Sequence, residues 1–521
     1  MDDRPVPPLA TATLAAFAAA MLALQLAVHG EYGWFRDELY YLASTEHLGW
    51  GYVDHPPLSI ALLALVRAVL GDSLLAVRLV PAVAGAATVF VAGVIARQLG
   101  GGRFAQGLAA LCALAAPVFL ALAHYYSMNA LDLVTWAAAA SLLLAALDKG
   151  GTGRWTALGA VLGLGLLNKI GVLWLGAGIA VALVATPYRR ALRRPGPWIA
   201  AAIAGLIFLP HLAWQVRHGW PTLEFMHNAT TYKMADDSPL GFLLDQVLTM
   251  NPLAAPVWLA GLGFGLFARA GVAGGGREHP DRRGRALALI YLTVFVLLVV
   301  AGRSRASYLA PAYPLLFALG GVAIERFSAA AGRRWLRPAV PALVALGGAV
   351  VLPYALPVLP VETFVRYQGA LGLEAPADER SEMGALPQQY ADMHGWGQMV
   401  GLVAEAWGRL TPEERRRCRV FGQNYGEAGA VDVLGRPLGL PPAISGHNSY
   451  WLWGPGEGDW DVLIIIGGDR EDNARHFAEI EIVGQTASPW SMPYERGLDV
   501  SIARRPKISL EEAWPRLKRY I

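Results

Sequence analysis

Long runs of apolar residues alternate with short polar turns through the first two thirds of the chain. A helix needs about 20 apolar residues to cross the hydrocarbon core of a membrane. The pattern therefore predicts an integral-membrane helical bundle. Segment 155–167 is short, and it could instead form a broken or re-entrant pair with its neighbour. The eleven predicted spans are 10–28, 74–95, 104–123, 130–147, 155–167, 170–186, 198–216, 252–268, 286–301, 307–324 and 339–358.

Composition and charge placement set the orientation of these spans. Of the 521 residues, 55% are hydrophobic and only 16% are charged. With the N-terminus in the cytoplasm, 18 basic residues fall in inward turns and six in outward turns before the tail. That bias follows the positive-inside rule and predicts that Asp37 and the tail lie on the outer face of the membrane. The net charge of +3 is too small to indicate a nucleic-acid partner.

The first outer loop, 30–73, contains two segments that resemble membrane-surface helices. Segment 38–48 sets leucines against acidic residues and a histidine, and segment 58–70 is apolar but too short to span. Helices of this kind can lie in the plane of the membrane interface. The alternative is a loop that collapses onto the bundle.

The tail after residue 358 has a different pattern. Segments 399–409 and 412–417 are predicted helices, the second opened by the sequence TPEE. Short apolar, β-branched runs at 418–421 and 462–466 are typical of buried strands. We therefore predict two domains: a transmembrane catalytic domain, 1–358, and an extracytoplasmic soluble α/β domain, 359–521. Neither a phosphate-binding loop nor a dinucleotide fingerprint is present.

Ionisable residues cluster directly after the first span, where the chain holds Asp37, Glu38 and His55 among several Trp and Tyr residues. Charged groups at a membrane are costly and therefore suggest a site. An aromatic interface belt is the plainer alternative, and it accounts for the Trp and Tyr but not for the acids. Further polar residues recur in the later outer turns: His124, Tyr126, Asn129, Asp132, Lys169, Glu224, His227, Lys233, Arg303, Arg305 and Tyr308.

Carboxylates in one loop and cations in several others suit transfer of a group from a phosphate. A carboxylate can take the acceptor's proton, while Arg and Lys stabilise charge on the departing phosphate. Plainer roles exist for several of these residues. Arg303 and Arg305 could be interfacial anchors, Lys169 could snorkel from a helix end, and His124 and His227 could be ordinary loop histidines.

Several ordered motifs give the chain a family resemblance. They are F-R-D-E-L-Y-Y (35–41), D-H-P-P-L (54–58), H-Y-Y-S-M-N-A-L-D (124–132), L-L-N-K-I (166–170), R-A-S-Y-L-A-P-A-Y-P (305–314), N-Y-G-E-A-G-A-V (424–431) and S-G-H-N-S-Y-W-L-W-G-P (445–455). Together they resemble the GT-C glycosyltransferases, and most closely the bacterial branch of the dolichyl-phosphate-mannose protein mannosyltransferase and aminoarabinose transferase families.

The resemblance implies roles for individual residues. Asp37 matches the acid taken as the catalytic base, and Glu38 is its partner. His55 stands where relatives carry a Lys that contacts the donor phosphate, and a neutral imidazole would bind phosphate less strongly. Asn129 stands where many relatives have Asp, so Asp132 is the candidate second acid.

The remaining residues receive expected binding roles. Tyr308 matches a tyrosine of the family motif. With His55, it is expected at the donor phosphate beside the cations Lys169, Lys233, Arg303 and Arg305. The residues expected to bind the acceptor or the sugar are His124, Tyr126, Asn129, Glu224 and His227.

The resemblance thus implies a hexosyl- or pentosyltransferase of the bacterial cytoplasmic membrane. It would move a sugar from a polyprenyl-phosphate donor to a protein, lipid or envelope-glycan acceptor, with inversion. The tail would recognise the acceptor or cover the site. A flippase or transporter for polyprenyl-linked sugars is the alternative from another class, and a non-catalytic scaffold is a third. The sequence indicates no cofactor with certainty, leaves a divalent cation open, and shows no pattern of metal ligands.

Overall fold

Helices form most of the chain in the computed structural model, which describes residues 6–235, 238–270, 279–280, 282–372, 380–458 and 460–521. The helices are α1 (Thr11–Ala27), α2 (Arg36–Ser44), α3 (Leu58–Leu70), α4 (Leu74–Gln98), α5 (Arg103–Leu114), α6 (Pro117–Leu122), α7 (Met128–Lys149), α8 (Thr152–Asn168), α9 (Val172–Ala185), α10 (Pro195–Arg217), α11 (Pro221–Asn228), α12 (Pro239–Thr249), α13 (Ala255–Phe267), α14 (Arg282–Ala301), α15 (Tyr313–Phe327), α16 (Leu336–Ala355), α17 (Val361–Ala370), α18 (Gln388–Ala391), α19 (Trp396–Arg409), α20 (Pro412–Arg416), α21 (Tyr425–Leu434), α22 (Ser449–Trp453), α23 (Arg470–His476) and α24 (Leu510–Ala513). The strands are β1 (Arg269–Ala270), β2 (His279–Pro280), β3 (Cys418–Gly422), β4 (Ala443–Ile444), β5 (Val462–Ile466), β6 (Phe477–Gln485) and β7 (Asp499–Pro506).

Six helices in the described part of the chain are long and apolar enough to cross a membrane, or up to eight if each of two bent helix pairs is one span. The bent pairs are α9 with Pro187–Arg193 and α12 with Pro252–Phe267. The eleven predicted spans are not confirmed, because three of them form short helices. Helices α1 and α8 have 17 residues each, and segment 104–123 is divided between α5 and α6. A 17-residue helix is about 26 Å long, slightly short of a hydrocarbon core of about 30 Å.

The chain divides into two compact units. Unit 1 comprises Met1–His29, Leu75–Leu212 and Asp236–Val358, and unit 2 comprises Gly30–Leu74, Ala213–Ala235 and Leu359–Ile521. Gly30–Leu74 and Ala213–Ala235, which the sequence division placed with residues 1–358, thus fall in the same unit as the tail. These segments contain the acid pair at 37–38 and the polar stretch around Glu224.

Unit 1 is a bundle in which small residues allow close helix packing. Helix α13 packs against α15, which also packs against α5, and α9 packs against α14. A Cβ at Gly261 would lie 2.2 Å from the carbonyl oxygen of Leu316, and a Cβ at Gly320 would lie 2.1 Å from that of Val257. Any side chain at either glycine would therefore push α13 and α15 apart.

Unit 2 contains a five-stranded mixed sheet with strand order β4-β3-β5-β7-β6. Strand β3 pairs in parallel with β4 and β5, whereas β7 runs antiparallel to β5 and β6. Every residue of β5 is buried, as its unbroken apolar sequence predicts. The predicted strands at 418–421 and 462–466 and the helices at 399–409 and 412–417 are confirmed. The α/β character of the tail is confirmed with them.

Both helices predicted in the first outer loop are present in unit 2. The first is α2, which is shorter than segment 38–48 and begins two residues earlier, and the second is α3, with the predicted bounds 58–70. Helix α2 packs on α21 of the tail, where Gly429 admits it: a Cβ there would lie 2.9 Å from the backbone carbon of Leu39. This contact places the helix that carries the acid pair against the tail residues of unit 2.

Candidate active site

The first turn of α2 gives its two adjacent acids different surroundings. Glu38 is fully buried, and its Oε2 accepts a hydrogen bond of 3.0 Å from the backbone N–H of Phe35, directly before the helix. The bond satisfies an N–H group that has no partner within the helix. Asp37 faces the other way, with 32% of its side chain exposed. Of the two acids, only Asp37 is thus partly exposed.

Asp37 is held by one neighbour in the chain and by one residue of the tail. Its Oδ1 accepts a hydrogen bond of 2.9 Å from the hydroxyl of Tyr425 and lies 3.6 Å from Nε of Arg36. Oδ2 accepts no hydrogen bond from the described residues. Sequence reasoning noted the motif around Tyr425 but did not assign this residue a contact with Asp37.

Arg36 connects the acid to the surrounding tail residues. Its guanidinium donates to the Tyr494 hydroxyl at 2.6 Å and lies 3.5 Å from Oδ2 of Asp392. The guanidinium also lies 5.4 Å from the centre of the Tyr425 ring. A Cβ at Gly426 would meet Cγ of Arg36 at 2.5 Å, so only glycine leaves room for the arginine at this point.

A cavity of about 410 Å³ opens beside these residues within unit 2. Four of its lining residues are basic, they come from four separate segments, and Lys233 is one that the sequence predicted for phosphate binding. The lining residues are Arg36, Tyr232, Lys233, Arg380, Ser381, Gln423, Asn424, Tyr425, Glu427, His447, Tyr494, Leu498, Arg519 and Ile521. Arg380 and Arg519 were not predicted, because neither belongs to a local sequence motif.

Burial favours the neutral forms of the acidic and imidazole groups in and beside this cavity. Burial and the neighbouring Glu495 raise the pKa of Glu427 well above its ordinary value, and burial raises the pKa of Glu495 to about 7. Asn424 links the two carboxyls, donating to Glu427 at 2.8 Å and to Glu495 at 2.9 Å. Burial also lowers the pKa of His447 to about 3. The basic residues therefore dominate the charge of the cavity, which suits an anionic group.

His55 lies elsewhere in unit 2 and is only 1% exposed. Its ring lies 4.7 Å from the ring of Tyr41 and 4.8 Å from that of Tyr52, and Nδ1 is 3.0 Å from the carbonyl oxygen of Pro56. The neighbouring Asp54 accepts from the Tyr40 hydroxyl at 2.9 Å. The D-H-P-P turn is thus packed into an aromatic cluster, and His55 does not line the cavity.

Unit 1 brings together four of the predicted site residues. The Nζ of Lys169 donates to Oδ1 of Asn129 at 2.8 Å and lies 3.4 Å from Oδ2 of Asp132. It also lies 5.2 Å from the centre of the Tyr308 ring, within cation–π distance. Asn129 and Asp132 hold the same ammonium, as expected of residues one helical turn apart. Arg303 and Arg305 are half-buried in the turn after α14.

The remaining predicted residues have diverse environments. His124 is 2% exposed, with its ring nitrogens 3.3 Å from Gln25 and Arg78, and Tyr126 is 1% exposed. In unit 2, Glu224 accepts from Lys518 at 2.7 Å, and His227 is exposed on α11. Within the described ranges, no three His, Cys, Asp or Glu side chains are grouped to hold a metal ion.

Comparisons with known proteins support the resemblance. Residues 54–214 match the family model described as dolichyl-phosphate-mannose-protein mannosyltransferase. The crystal structure of ArnT from Cupriavidus metallidurans bound to undecaprenyl phosphate has 16% sequence identity, and the match has a TM-score of 0.61 and covers 94% of this chain and 98% of that one. The apo structure of the same protein has 15% identity and a TM-score of 0.61, with 95% of this chain and 98% of that one covered. No curated protein sequence matches the chain.

The chain therefore has the fold of a GT-C glycosyltransferase over nearly its whole length, and the predicted resemblance to that superfamily is confirmed.

Proposed function

We propose that the chain is a membrane glycosyltransferase that moves a sugar from a polyprenyl phosphate to an acceptor outside the cytoplasmic membrane. The observation that carries this proposal is Asp37, a partly exposed carboxylate beside a cavity rich in basic residues. The fold supports it, because a structure with that fold binds undecaprenyl phosphate. The family model for residues 54–214 describes transfer of mannose from dolichyl phosphate, which is donor chemistry of the same kind.

Asp37 is the general base of a single inverting displacement. Its Oδ2 takes the proton of the acceptor's hydroxyl as that oxygen forms a bond to the anomeric carbon of the sugar. The bond between that carbon and the phosphate oxygen breaks, and its electron pair leaves with the polyprenyl phosphate. A base on the face opposite the leaving group produces inversion. The products are the glycosylated acceptor, the polyprenyl phosphate and a protonated Asp37.

Basic residues compensate the negative charge of the phosphate as it departs. Lys233, which lines the cavity of unit 2, is our first candidate for this contact. Lys169, Arg303 and Arg305 of unit 1 remain candidates. Of these, Lys169 is already held by a carboxylate. Glu38 is assigned a helix-capping role in place of the catalytic partnership that the sequence suggested, because it is buried and caps α2.

Transfer can be tested with purified protein in vesicles, supplied with radiolabelled polyprenyl-phosphate sugars and with envelope fractions as acceptors. The expected result is label covalently attached to an acceptor and an equal amount of polyprenyl phosphate released. The Asp37→Asn variant should lose this transfer. Its matched control is Glu31→Gln, which removes an exposed carboxylate from the same predicted outer loop and should keep it. Label that crosses the bilayer with no new glycosidic bond would identify a carrier and overturn the proposal.

A further inference from the structure

The hydroxyl of Tyr425 approaches the proposed base from a segment 388 residues away in the chain. We propose that Tyr425 is a positioning residue for Asp37: it fixes one carboxylate oxygen so that the other points to the acceptor. This inference rests on the proposed function and deepens it. It gives the C-terminal segment a part in the chemistry, beyond covering the site or recognising an acceptor.

The hydrogen bond has the direction and geometry that this role requires. A phenol hydroxyl is protonated at neutral pH and donates, while an ionised carboxylate only accepts. The O–O distance of 2.9 Å lies within the normal range for such a bond. With Oδ1 of Asp37 occupied by Tyr425, proton transfer falls to Oδ2, which accepts no hydrogen bond from the described residues. A donated hydrogen bond also favours the charged, basic form of a carboxylate.

Tyr425 is itself held firmly, as a positioning residue must be. It is the first residue of α21, and the Asn424 side chain caps that helix by accepting from the N–H groups of Gly426 at 2.8 Å and Glu427 at 3.0 Å. The backbone N–H of Tyr425 donates to Nδ1 of His447 at 3.3 Å. The side chain is therefore fixed through its own backbone.

The ring of Tyr425 is enclosed on two sides. Its centre lies 4.7 Å from that of Tyr40 and 5.4 Å from the guanidinium of Arg36, and the residue is only 7% exposed. Tyr40 in turn accepts a hydrogen bond from the backbone N–H of Ser449 at 3.3 Å. Because the residues on both sides are packed in the same unit, the hydroxyl has little freedom to leave Asp37.

The decisive variant is Tyr425→Phe, which keeps the ring and removes only the hydroxyl. Loss of a hydrogen bond to a charged group is expected to lower the rate by about ten-fold or more. We therefore expect kcat for sugar transfer to fall by at least about ten-fold with little change in the KM for the donor.

The matched control is Tyr450→Phe, which removes a second buried tyrosine–aspartate hydrogen bond of unit 2, the 2.5 Å bond to Asp432. That variant should lose stability but keep the kcat and the donor KM of the unaltered protein. A Tyr425→Phe protein with the same kcat as the parent would refute the positioning role. Sugar transfer by the unaltered protein distinguishes the two possible failures. If that protein forms no glycosidic bond, the proposed function is wrong; if it does and Tyr425→Phe is equally active, only the positioning role is wrong.

Discussion

Replacing each of the two adjacent acids separates catalysis from folding. Asp37→Asn keeps the size of the side chain and the oxygen that accepts from Tyr425, but it removes the basic oxygen. A general base typically contributes about 10²–10⁴-fold to the rate, or about 2.7–5.5 kcal/mol of barrier. Sugar transfer should fall by that factor.

The structure indicates that stability should hardly change in the same variant. The Asp37–Arg36 pair is 3.6 Å apart, and 32% of the aspartate side chain is exposed. Partly solvated pairs of this kind are worth only about 0–1 kcal/mol. The expected barrier change is therefore several times larger than the expected loss of folding free energy, and unfolding cannot account for the lost activity.

Glu38→Gln should behave in the opposite way. Gln keeps an oxygen for the N–H of Phe35 but removes a carboxyl group from the positive end of α2, a change worth about 1 kcal/mol of stability. Activity per folded molecule should stay near that of the parent. The measurements are label transfer from the donor, donor affinity and Tm in detergent. Full transfer by Asp37→Asn would show that this carboxylate is only an interfacial charge.

Three further predictions concern topology, the cation of unit 1 and pH. A cysteine that replaces the exposed Glu413 should react with an impermeant maleimide in intact spheroplasts, and one that replaces Arg190 should not. Background labelling should be low because both native cysteines are buried. The reverse labelling pattern would overturn the orientation. Lys169→Gln should lower stability by about 3–5 kcal/mol, because it leaves Asp132 buried and unpaired. Adding Asp132→Asn should restore most of that stability. If donor affinity recovers as well in the double variant, Lys169 does not bind the donor phosphate. Burial raises the pKa of Glu495 from 4.5 to about 7, so between these pH values the folded protein holds a proton that the unfolded chain releases. Stability should therefore fall as pH rises from about 4.5 to 7. A Glu495→Gln protein with an unchanged stability–pH curve would contradict this.

Much of the fold could be predicted from the sequence because it depends on local pattern. The wholly apolar run at 462–466 and the capping signal at Thr411 both formed the expected elements, the latter with Glu414 donating its N–H to Thr411 at 3.3 Å and accepting in return at 2.8 Å. Span counting was less successful where length was marginal. Pro117 has no N–H to continue a helix, and the predicted span 104–123 is interrupted before it.

The partners in the candidate site could not be predicted in the same way. Tyr425 and Arg519 reach the site from segments hundreds of residues from Asp37, and no periodicity connects such positions. His55 shows the opposite difficulty. Its place before two prolines suggested phosphate binding, yet the aromatic residues around it leave it 1% exposed. The directions of the Tyr425, Arg519 and His55 side chains follow from tertiary packing and not from local sequence.

The adjacent acids show how helix geometry assigns different roles to neighbouring residues. Successive residues of an α-helix point about 100° apart, so the two consecutive carboxylates at the start of α2 meet different surroundings. Glu38 turns into the protein, where it satisfies the N–H of Phe35, and it is fully buried. Asp37 turns outward to the hydroxyl of Tyr425. The capping bond fixes where α2 begins, and the start of α2 in turn fixes the direction of Asp37. Glu38 therefore acts on the proposed reaction only through the helix that carries its neighbour.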